Sequence, residues 1–274
     1  QISTSPPNAV QIPIGSHNST LDFCDILGFY GASNDNQLIL HQASANSASA
    51  TCALNLLINR CIIKGMMNDG VHLVGGGSTL RECLIGPPWQ HNSDITVYSG
   101  VPGDYTTGDA VMINVGNGQW PVRVCQTATP TLHPDPNNAN ADWAKTSPHV
   151  DLVNPRAAIG AGVTIERNYF RDYKLGADGV RTYSVNNIIR LVRNSGDIKP
   201  YNTVNIDDNR SDRGGIYGSY PIQAGSGTNF VGPLNFRRNR IGLNANGQYY
   251  NGATGAIGVW DSNTDEAGNP LARP

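Results

Sequence analysis

The chain has 274 residues, and its 19 Lys plus Arg against 21 Asp plus Glu give a formal net charge of -2. This balance leaves no global positive field, which argues against nucleic acid or an acidic membrane surface as a partner. Charged residues make up only 15% of the chain whereas Gly numbers 31, a composition typical of a turn-rich, all-β protein.

The N-terminal sequence QISTSPPNAVQIPIG has neither the basic start nor the apolar stretch of a signal peptide. No run approaches the ~18 consecutive apolar residues of a membrane span, so we expect no membrane insertion. We interpret residues 1–20 as an N-terminal extension or cap.

Five cysteines, at positions 24, 52, 61, 83 and 125, fit a disulfide framework poorly, and no Cys-x-x-Cys pair indicates a zinc site. Their spacing instead reveals a repeat. Aligning INRCIIKG (58–65) with LRECLIGP (80–87) places Cys61 over Cys83, 22 residues apart, with an apolar residue three positions before each Cys. The same frame fits six further positions: Cys24, Cys125, Asn168, Asn194, Asn209 and Asn239. The 15-residue gap between Asn194 and Asn209 is short for a full repeat, which puts one of these two frames in doubt.

A short alternating strand precedes many of these frames, and each is introduced by Gly, Asp or a Pro-rich loop. The predicted strands are DGVHLV (69–74), GDAVMINV (108–115), HVDLV (149–153), DGVRTYSV (178–185) and GGIYGSY (214–220). VGGGST (74–79) reads as a tight corner, and residues 126–148, rich in Pro and Asn, as a long projecting loop. Residues 246–274 are interpreted as a C-terminal extension.

This repeated order of strand, bend and strand resembles the right-handed parallel β-helix of the pectate-lyase-like superfamily, in which inward Asn or Cys residues stack in ladders. The resemblance implies an all-β, single-stranded right-handed parallel β-helix (solenoid) over residues 21–245, with inserted loops. Asn suits a buried bend because its amide can pair with both backbone N–H and C=O groups, and Cys is a small substitute. We therefore interpret Cys24, Cys61, Cys83 and Cys125 as structural, with a redox or nucleophilic role as the alternative.

Alternation along HVDLV places Val150 and Leu152 in the core and turns His149, Asp151 and Val153 outward, with His149 and Asp151 ~7 Å apart. If the predicted strands stack as one sheet, their outward polar residues share one elongated face. Such a face suits a polymeric sugar, because aromatic rings stack on pyranose rings and charged groups bond hydroxyls or sugar carboxylates. Ordinary solvated surface is the alternative interpretation. The predicted catalytic residues are His149, Asp151 and Arg181, and the predicted substrate-binding residues on this face are His72, Tyr183 and Tyr217.

Asp207 and Asp208 form a second candidate, and we expect them to contact substrate. They resemble the paired carboxylates of β-helical glycoside hydrolases, where one acid protonates the leaving oxygen and a carboxylate activates water. Neighbouring strand residues point to opposite faces, so both can face a groove only if the chain bends there. The Gly-His-Gly and Arg-Ile-Lys signatures of the polygalacturonase group are absent. For lyase chemistry, Arg181 or Lys174 could supply the base.

The expected function is binding and cleavage of an extracellular polysaccharide, with hydrolase and lyase chemistry both open and no cofactor or metal. The resemblance implies a secreted enzyme or a phage tailspike at the virion surface, and tailspikes are often homotrimers. The alternative is a non-catalytic structural or receptor-binding β-helix, as in a virion fibre or adhesin.

Overall fold

The computed structural model describes residues 10–13, 15–27, 39–41, 54–65, 70–86, 96–113, 122–145, 151–159, 162–171, 173–175, 181–183, 187–191, 203–212, 220–224, 233–244, 246–252, 254 and 257–274. Nearly all regular structure in these ranges is β-strand, and the one helix is a short 3-10 turn, Pro102–Asp104. Within the same ranges, no helix has the length and apolar character needed to cross a membrane.

Three parallel sheets dominate the molecule. Sheet A contains β1 (Val10–Ile12), β4 (Ile39–His41), β7 (Val71–Gly75), β14 (Asp151–Ile159), β19 (Asn187–Leu191), β22 (Ile222–Ala224) and β24 (Tyr250–Asn251). Sheet B contains β2 (Thr20–Asp22), β5 (Leu57–Asn59), β8 (Thr79–Arg81), β15 (Val163–Glu166), β20 (Val204–Asp207), β23 (Leu234–Arg237) and β25 (Ile257–Asp261). Sheet C contains β3 (Asp25–Leu27), β6 (Ile62–Lys64), β9 (Leu84–Ile85), β16 (Tyr169–Phe170) and β21 (Arg210–Ser211), and continues as single bridges at Arg240 and Thr264.

The chain visits sheets A, B and C in the same order each time, and we number the resulting repeats 1 to 7 along the chain. Every strand pairs in parallel with its counterpart in the neighbouring repeat, as in the pairing of Ile58 with Leu80 and of Leu80 with Ile165. The predicted all-β fold is confirmed, and the stacked parallel sheets are compatible with a parallel β-helix.

One face of each sheet supplies a row of apolar side chains that fills the interior. In sheet A the row in register is Val10, Ile39, Val71, Val153, Ile189 and Ile222, and in sheet B it is Leu21, Ile58, Leu80, Ile165, Ile206, Phe236 and Trp260. Most of these residues are almost fully buried in one core cluster. Burial of each such side chain contributes about 1.5–3 kcal/mol, so the rows supply the main stabilisation of the stack.

The corner between sheets B and C has the same conformation in all seven repeats. The last residue before the corner adopts a left-handed conformation with φ between 51° and 54°, although none of these residues is glycine: Phe23, Arg60, Glu82, Arg167, Asp208, Arg238 and Ser262. The residue that follows is the predicted Cys or Asn in six repeats, and Asn263 in the seventh. Left-handed backbone costs about 1–2 kcal/mol per non-glycine residue, so each corner needs compensating interactions.

Those interactions come from a ladder of buried amides. The Asn209 Oδ1 accepts the backbone N–H of Asn168 at 3.0 Å, and its Nδ2 donates to the Ile165 carbonyl at 2.8 Å and to Asn239 Oδ1 at 3.0 Å. Asn168, Asn239 and Asn263 repeat the same geometry. The predicted amide ladder is therefore confirmed for Asn168, Asn209 and Asn239, while Asn263 was missed.

Cysteines occupy the ladder position in repeats 1 to 3. The Cys61 N–H donates to Cys83 Sγ at 3.4 Å, and the Cys83 N–H donates to Asn168 Oδ1 at 3.0 Å, so the thiols continue the amide ladder. Burial raises the pKa of the Cys61 thiol and raises that of Cys83 to about 12. A pKa this high keeps the Cys83 thiol protonated at neutral pH, which supports the structural interpretation over a nucleophilic one for Cys83.

Two predicted frames are not part of the ladder that the structure describes. Cys125 ends β12 (Val122–Cys125), which pairs with β11 (Ala110–Met112) and β13 (Trp143–Lys145) in a separate four-stranded sheet completed by β10 (Thr96–Val97). Asn194 lies outside the described residues, and the ladder passes directly from Asn168 to Asn209 without it. The four-residue frame also matches Cys125 because Val122 and Cys125 satisfy it at the end of an ordinary strand.

The four-stranded sheet forms an insertion between repeats 3 and 4, and residues 126–142 of the predicted long loop connect two of its strands. Arg123 is buried and donates from Nε to the Asp135 carbonyl at 2.7 Å. Asp142 accepts the N–H groups of Thr131 and Leu132 at 2.7 and 2.8 Å. The loop is thus fixed by side chains that satisfy its backbone groups.

The stack extends beyond its predicted limits at both ends. β1 lies within the predicted N-terminal extension, and β24 and β25 lie within the predicted C-terminal extension. The last residues then fold back over repeat 7: Thr264 bridges Pro270, and the Trp260 indole donates to the Leu271 carbonyl at 2.9 Å. Residues 265–274 therefore close the C-terminal end of the stack.

We expect Asn209→Ala to lower the free energy of unfolding by about 3 kcal/mol, because it leaves the buried Asn168 N–H and Ile165 carbonyl without their partners. Urea denaturation followed by circular dichroism measures the change. Asn246→Ala, at an exposed turn, is the matched control and should change stability by less than about 0.5 kcal/mol. Equal effects of the two substitutions would contradict a structural role for the ladder.

Candidate functional site

Sheet A holds two of the predicted site residues, His72 and Asp151, but neither is exposed. His72 retains only 5% of its accessible surface and Asp151 none. His72 pairs with Asn154 on the next strand, and Asn154 is also buried. The prediction that His72 and Asp151 face solvent is therefore wrong, because this part of sheet A is covered on both faces and alternation does not report exposure there.

The phase predicted for the strand at Asp151 is also wrong. Val153, predicted to face outward, shares the register of Val71 and Ile189 in the interior row, although Leu152 is buried as predicted. Asp151 forms an ion pair with Arg190, from Oδ2 to Nη1 at 3.2 Å. Arg190 was not predicted, and its partnership gives Asp151 a structural role within sheet A.

Arg181 and Tyr183, also predicted for this face, lie in another sheet. Arg181 and Tyr183 lie on β18 (Arg181–Tyr183), which pairs antiparallel with β17 (Tyr173–Leu175) in a separate two-stranded sheet. The strand that follows β14 in sheet A is β19, whose sequence NIIRL is more apolar than the predicted strand. The predicted strands that the structure describes therefore do not share a single elongated face. His149 and Tyr217 lie outside the described residues, and their roles stay predictions.

Sheet B, by contrast, presents a polar face that is accessible over most of its length, although Asn59 and Asn235 on it are buried. Its outward positions carry a row of mostly charged residues in register, which we call the charged row: Asp22, Asn59, Arg81, Glu166, Asp207, Arg237 and Asp261. A parallel amide and hydroxyl row lies two residues earlier and holds Thr20, Thr79, Thr164, Asn205 and Asn235, with apolar Leu57 and Val259 at the other two positions in register. Seven strands at ~4.8 Å spacing make this face about 29 Å long.

The centre of the charged row pairs two carboxylates. Glu166 and Asp207 are direct register neighbours on adjacent parallel strands, and their side chains are 22% and 21% exposed. Each has an arginine beside it: Arg167 contacts Glu166 at 2.8 Å and Glu82 at 3.2 Å, and Arg238 contacts Asp207. One strand spacing of ~4.8 Å is close to the ~5–5.5 Å carboxyl separation of retaining glycosidases.

Asp207 and Asp208 were predicted as a pair that requires a bend in the chain. The chain does bend there, because Asp208 is the left-handed corner residue of repeat 5 with φ of 51°. Asp208 is exposed at the edge of the charged row, while Asp207 lies in it. The carboxylate in register with Asp207 is Glu166, which the prediction missed. Aligning the frames at Asn168 and Asn209 gives this pairing directly, because both acids lie two residues before the ladder position.

The two tryptophans that the structure describes pack against other parts of the chain and do not offer a ring on the face of sheet B. Trp143 is fully buried in the insertion with Val111 and Cys125, and its indole donates to the Leu132 carbonyl at 2.6 Å. Trp260 packs on Phe236 under the C-terminal residues. Trp89 and Trp120 lie outside the described residues.

Within the described ranges, no group of three or more His, Cys, Asp or Glu side chains could hold a metal ion. The accessible site is therefore built from carboxylates, guanidinium groups, amides and hydroxyls alone. No protein-family model, curated protein or solved structure matches the chain. Functional inference consequently depends on the geometry of sheet B.

Since Asp151 is fully buried and ion-paired, Asp151→Asn should lower the free energy of unfolding by about 3 kcal/mol, the low end of the range for breaking a buried pair. Thermal or urea denaturation measures the loss. Asp25→Asn is the control, because Asp25 lies 3.6 Å from Lys64 with a 61% exposed side chain, and exposed pairs contribute less than about 1 kcal/mol. Unchanged stability in Asp151→Asn would contradict the structural role.

The backbone N–H groups of Leu132 and Thr131 lower the pKa of Asp142 below its usual value of 3.8. A lowered folded-state pKa stabilises the fold above pH ~3.8, and this contribution is lost as pH falls through the folded pKa. We expect Asp142→Asn to lower the melting temperature at pH 7, and the difference from wild type to shrink on acidification below pH ~4. Scanning calorimetry across this range measures both effects. A difference independent of pH would exclude the carboxylate charge as the cause.

Proposed function

We propose that the chain is a right-handed parallel β-helix of the pectate-lyase-like type that binds an extracellular polysaccharide along sheet B and cleaves it at Glu166 and Asp207. The observation that carries the proposal is the charged row, together with the amide or hydroxyl side chains that lie beside it in register on the strands of repeats 3 to 6. A polymer of similar units is the natural ligand for a surface whose own groups recur at a fixed spacing.

The chemistry of the two rows suits a sugar chain. Partly exposed amide and hydroxyl side chains such as Thr164 and Asn205 can exchange hydrogen bonds with sugar hydroxyls. Asn235 Nδ2 already donates to Asn205 Oδ1 at 2.9 Å, so these amides are held in place before a ligand binds. Arg81 and Arg237 add guanidinium groups that pair well with sugar carboxylates, which favours an acidic polysaccharide.

Glu166 and Asp207 supply the reactive groups of the proposal. In glycoside hydrolysis one carboxyl protonates the leaving oxygen, and the other attacks the sugar or activates water. Arg167 and Arg238 contact these carboxylates in the unliganded protein and fix their positions. In lyase chemistry, an arginine on the same surface would neutralise a uronate carboxylate of the substrate. Hydrolysis and lyase cleavage give different products.

The proposed setting is a secreted enzyme or a tailspike at the virion surface, assembled as a homotrimer. The long polar face supports it, because such proteins must recognise an extended glycan outside the cell. His72 and Asp151 on sheet A are buried, so the proposed site is on sheet B.

A structural or receptor-binding β-helix is the second candidate, and exposed apolar side chains favour it. Phe23, Leu27 and Ile62 are 70%, 52% and 40% exposed near one end of the stack. Large apolar side chains exposed in one region are typical of contact with a protein partner.

Incubation with a panel of bacterial surface polysaccharides separates these functions. Reducing ends without unsaturated products indicate a hydrolase, and ultraviolet absorbance from unsaturated uronates indicates a lyase. We expect Glu166→Gln and Asp207→Asn each to lower the rate by about 10²–10⁴-fold, while both variants still bind the glycan.

Asp25→Asn, on sheet C, is the control and should leave the rate unchanged. Full activity in both carboxylate variants would exclude the pair as the catalytic groups. Neither binding nor cleavage across the panel would favour the structural function.

A further inference from the structure

The cysteine half of the ladder ends in a thiol that differs from the others. Cys61 and Cys83 are 1% and 2% exposed, whereas Cys24 in repeat 1 is only partly buried. Within the described residues, sheets A, B and C all end at repeat 1, so Cys24 has a ladder neighbour on one side, Cys61. An oxidant in solution can therefore reach Cys24 more readily than the other ladder thiols.

Cys24 and Cys61 occupy equivalent positions one strand spacing apart. The residues after them, Asp25 and Ile62, are register partners, and the Cys24 carbonyl accepts the Ile62 N–H at 2.9 Å. Both thiols also point the same way, since each donates to the carbonyl two residues earlier: Asp22 at 3.5 Å and Asn59 at 3.2 Å. Adjacent strands are ~4.8 Å apart, and disulfides span Cα separations of about 4.4–6.8 Å.

We propose that Cys24 and Cys61 form an oxidation site that closes to an intramolecular disulfide and joins repeats 1 and 2. With a peroxide as oxidant, the Cys24 thiolate attacks the O–O bond, gives a sulfenic acid and releases one water. The Cys61 sulfur then attacks the Cys24 sulfur and displaces the hydroxyl, which leaves with the Cys61 proton as a second water. Two thiols lose two electrons in total, and one peroxide takes them up.

The geometry favours this pair over the neighbouring one. Cys61 also lies beside Cys83, but Cys83 is enclosed between repeats 2 and 4 and cannot move without disturbing the ladder. Disulfide closure needs Cβ atoms about 3.5–4.5 Å apart, slightly less than the strand spacing, so one strand must shift by a few tenths of an ångström. β3 can shift because, within the described part of sheet C, it pairs on one side only. Burial also raises the pKa of Cys83 to about 12, which keeps that thiol protonated.

The bond would stabilise the end of the stack that the C-terminal residues do not close. It would close the loop of chain between residues 24 and 61. Cross-links that close longer loops stabilise a protein more. A thiol pair of this kind remains reduced in a cytosol and oxidises outside the cell. The proposal does not depend on the proposed function.

The test treats the folded protein with about one equivalent of hydrogen peroxide, alkylates the remaining thiols and maps them by mass spectrometry. We expect Cys24 and Cys61 to be lost together as one cross-linked peptide, Cys83 and Cys125 to stay alkylatable, and the melting temperature to rise by a few degrees until a reductant reverses it. In Cys24→Ser, Cys61 should remain a free thiol.

Cys125→Ser and Cys52→Ser are the matched controls, and both should form the cross-link as wild type does. A disulfide that includes Cys52 or Cys83 would overturn the proposal. Oxidation of Cys24 to a sulfinic acid with Cys61 intact would also overturn it, because the two sulfurs would then be too far apart to react.

Discussion

The hydrogen bonds of the buried corner ladder hold the rest of the structure in register. Each corner turns through a left-handed residue, and the next side chain pairs with the backbone of the preceding repeat. An unpaired N–H or C=O group at such a buried corner would cost several kcal/mol, so the ladder residue must be small and able to hydrogen-bond. The ladder residue also sets the roles of the three residues before it. The residue three positions earlier is apolar and faces the core, the residue two positions earlier faces outward, and the residue one position earlier forms the corner.

The same register decides what the outer surface displays. Because the outward residue always lies two positions before the ladder, Glu166 and Asp207 align although 41 residues separate them in sequence. Three arginines at the corners each form an ion pair with an acid of the preceding repeat. These pairs are Arg60–Asp22, Arg167–Glu82 and Arg238–Asp207. Exposed pairs of this kind stabilise little individually. Their main effect is to hold the polar groups of sheet B in defined positions.

The ladder, the all-β fold class and the tight corner at Gly77 were predictable from the sequence, because each leaves a pattern within a short stretch of the chain. Gly77 has φ of 73° and approaches Asn55 so closely that a Cβ would lie 2.1 Å from its Oδ1. The burial of His72 on sheet A was not predictable from the sequence. Alternation along one strand indicates which way each side chain points, but not whether another part of the chain lies over that face. The frame at Asn263 was missed because the Gly- and Pro-containing residues around it resemble an extension. The Glu166 pairing was available from the aligned frames, but the adjacent acids Asp207 and Asp208 drew the prediction to the wrong pair.

The insertion also has a consequence for how the molecule folds. Cys83 and Asn168 are ladder neighbours joined by one hydrogen bond, yet 85 residues separate them, compared with 22 between Cys61 and Cys83. Two doublings of loop length cost about 1.2 kcal/mol more in closure entropy. The contact between the thiol half and the amide half is therefore a late, slow step, unless the four-stranded insertion forms first and brings its two ends together. An insertion that folds independently would hold repeats 3 and 4 close together. The rate at which the insertion folds would then control how fast the two halves of the ladder join.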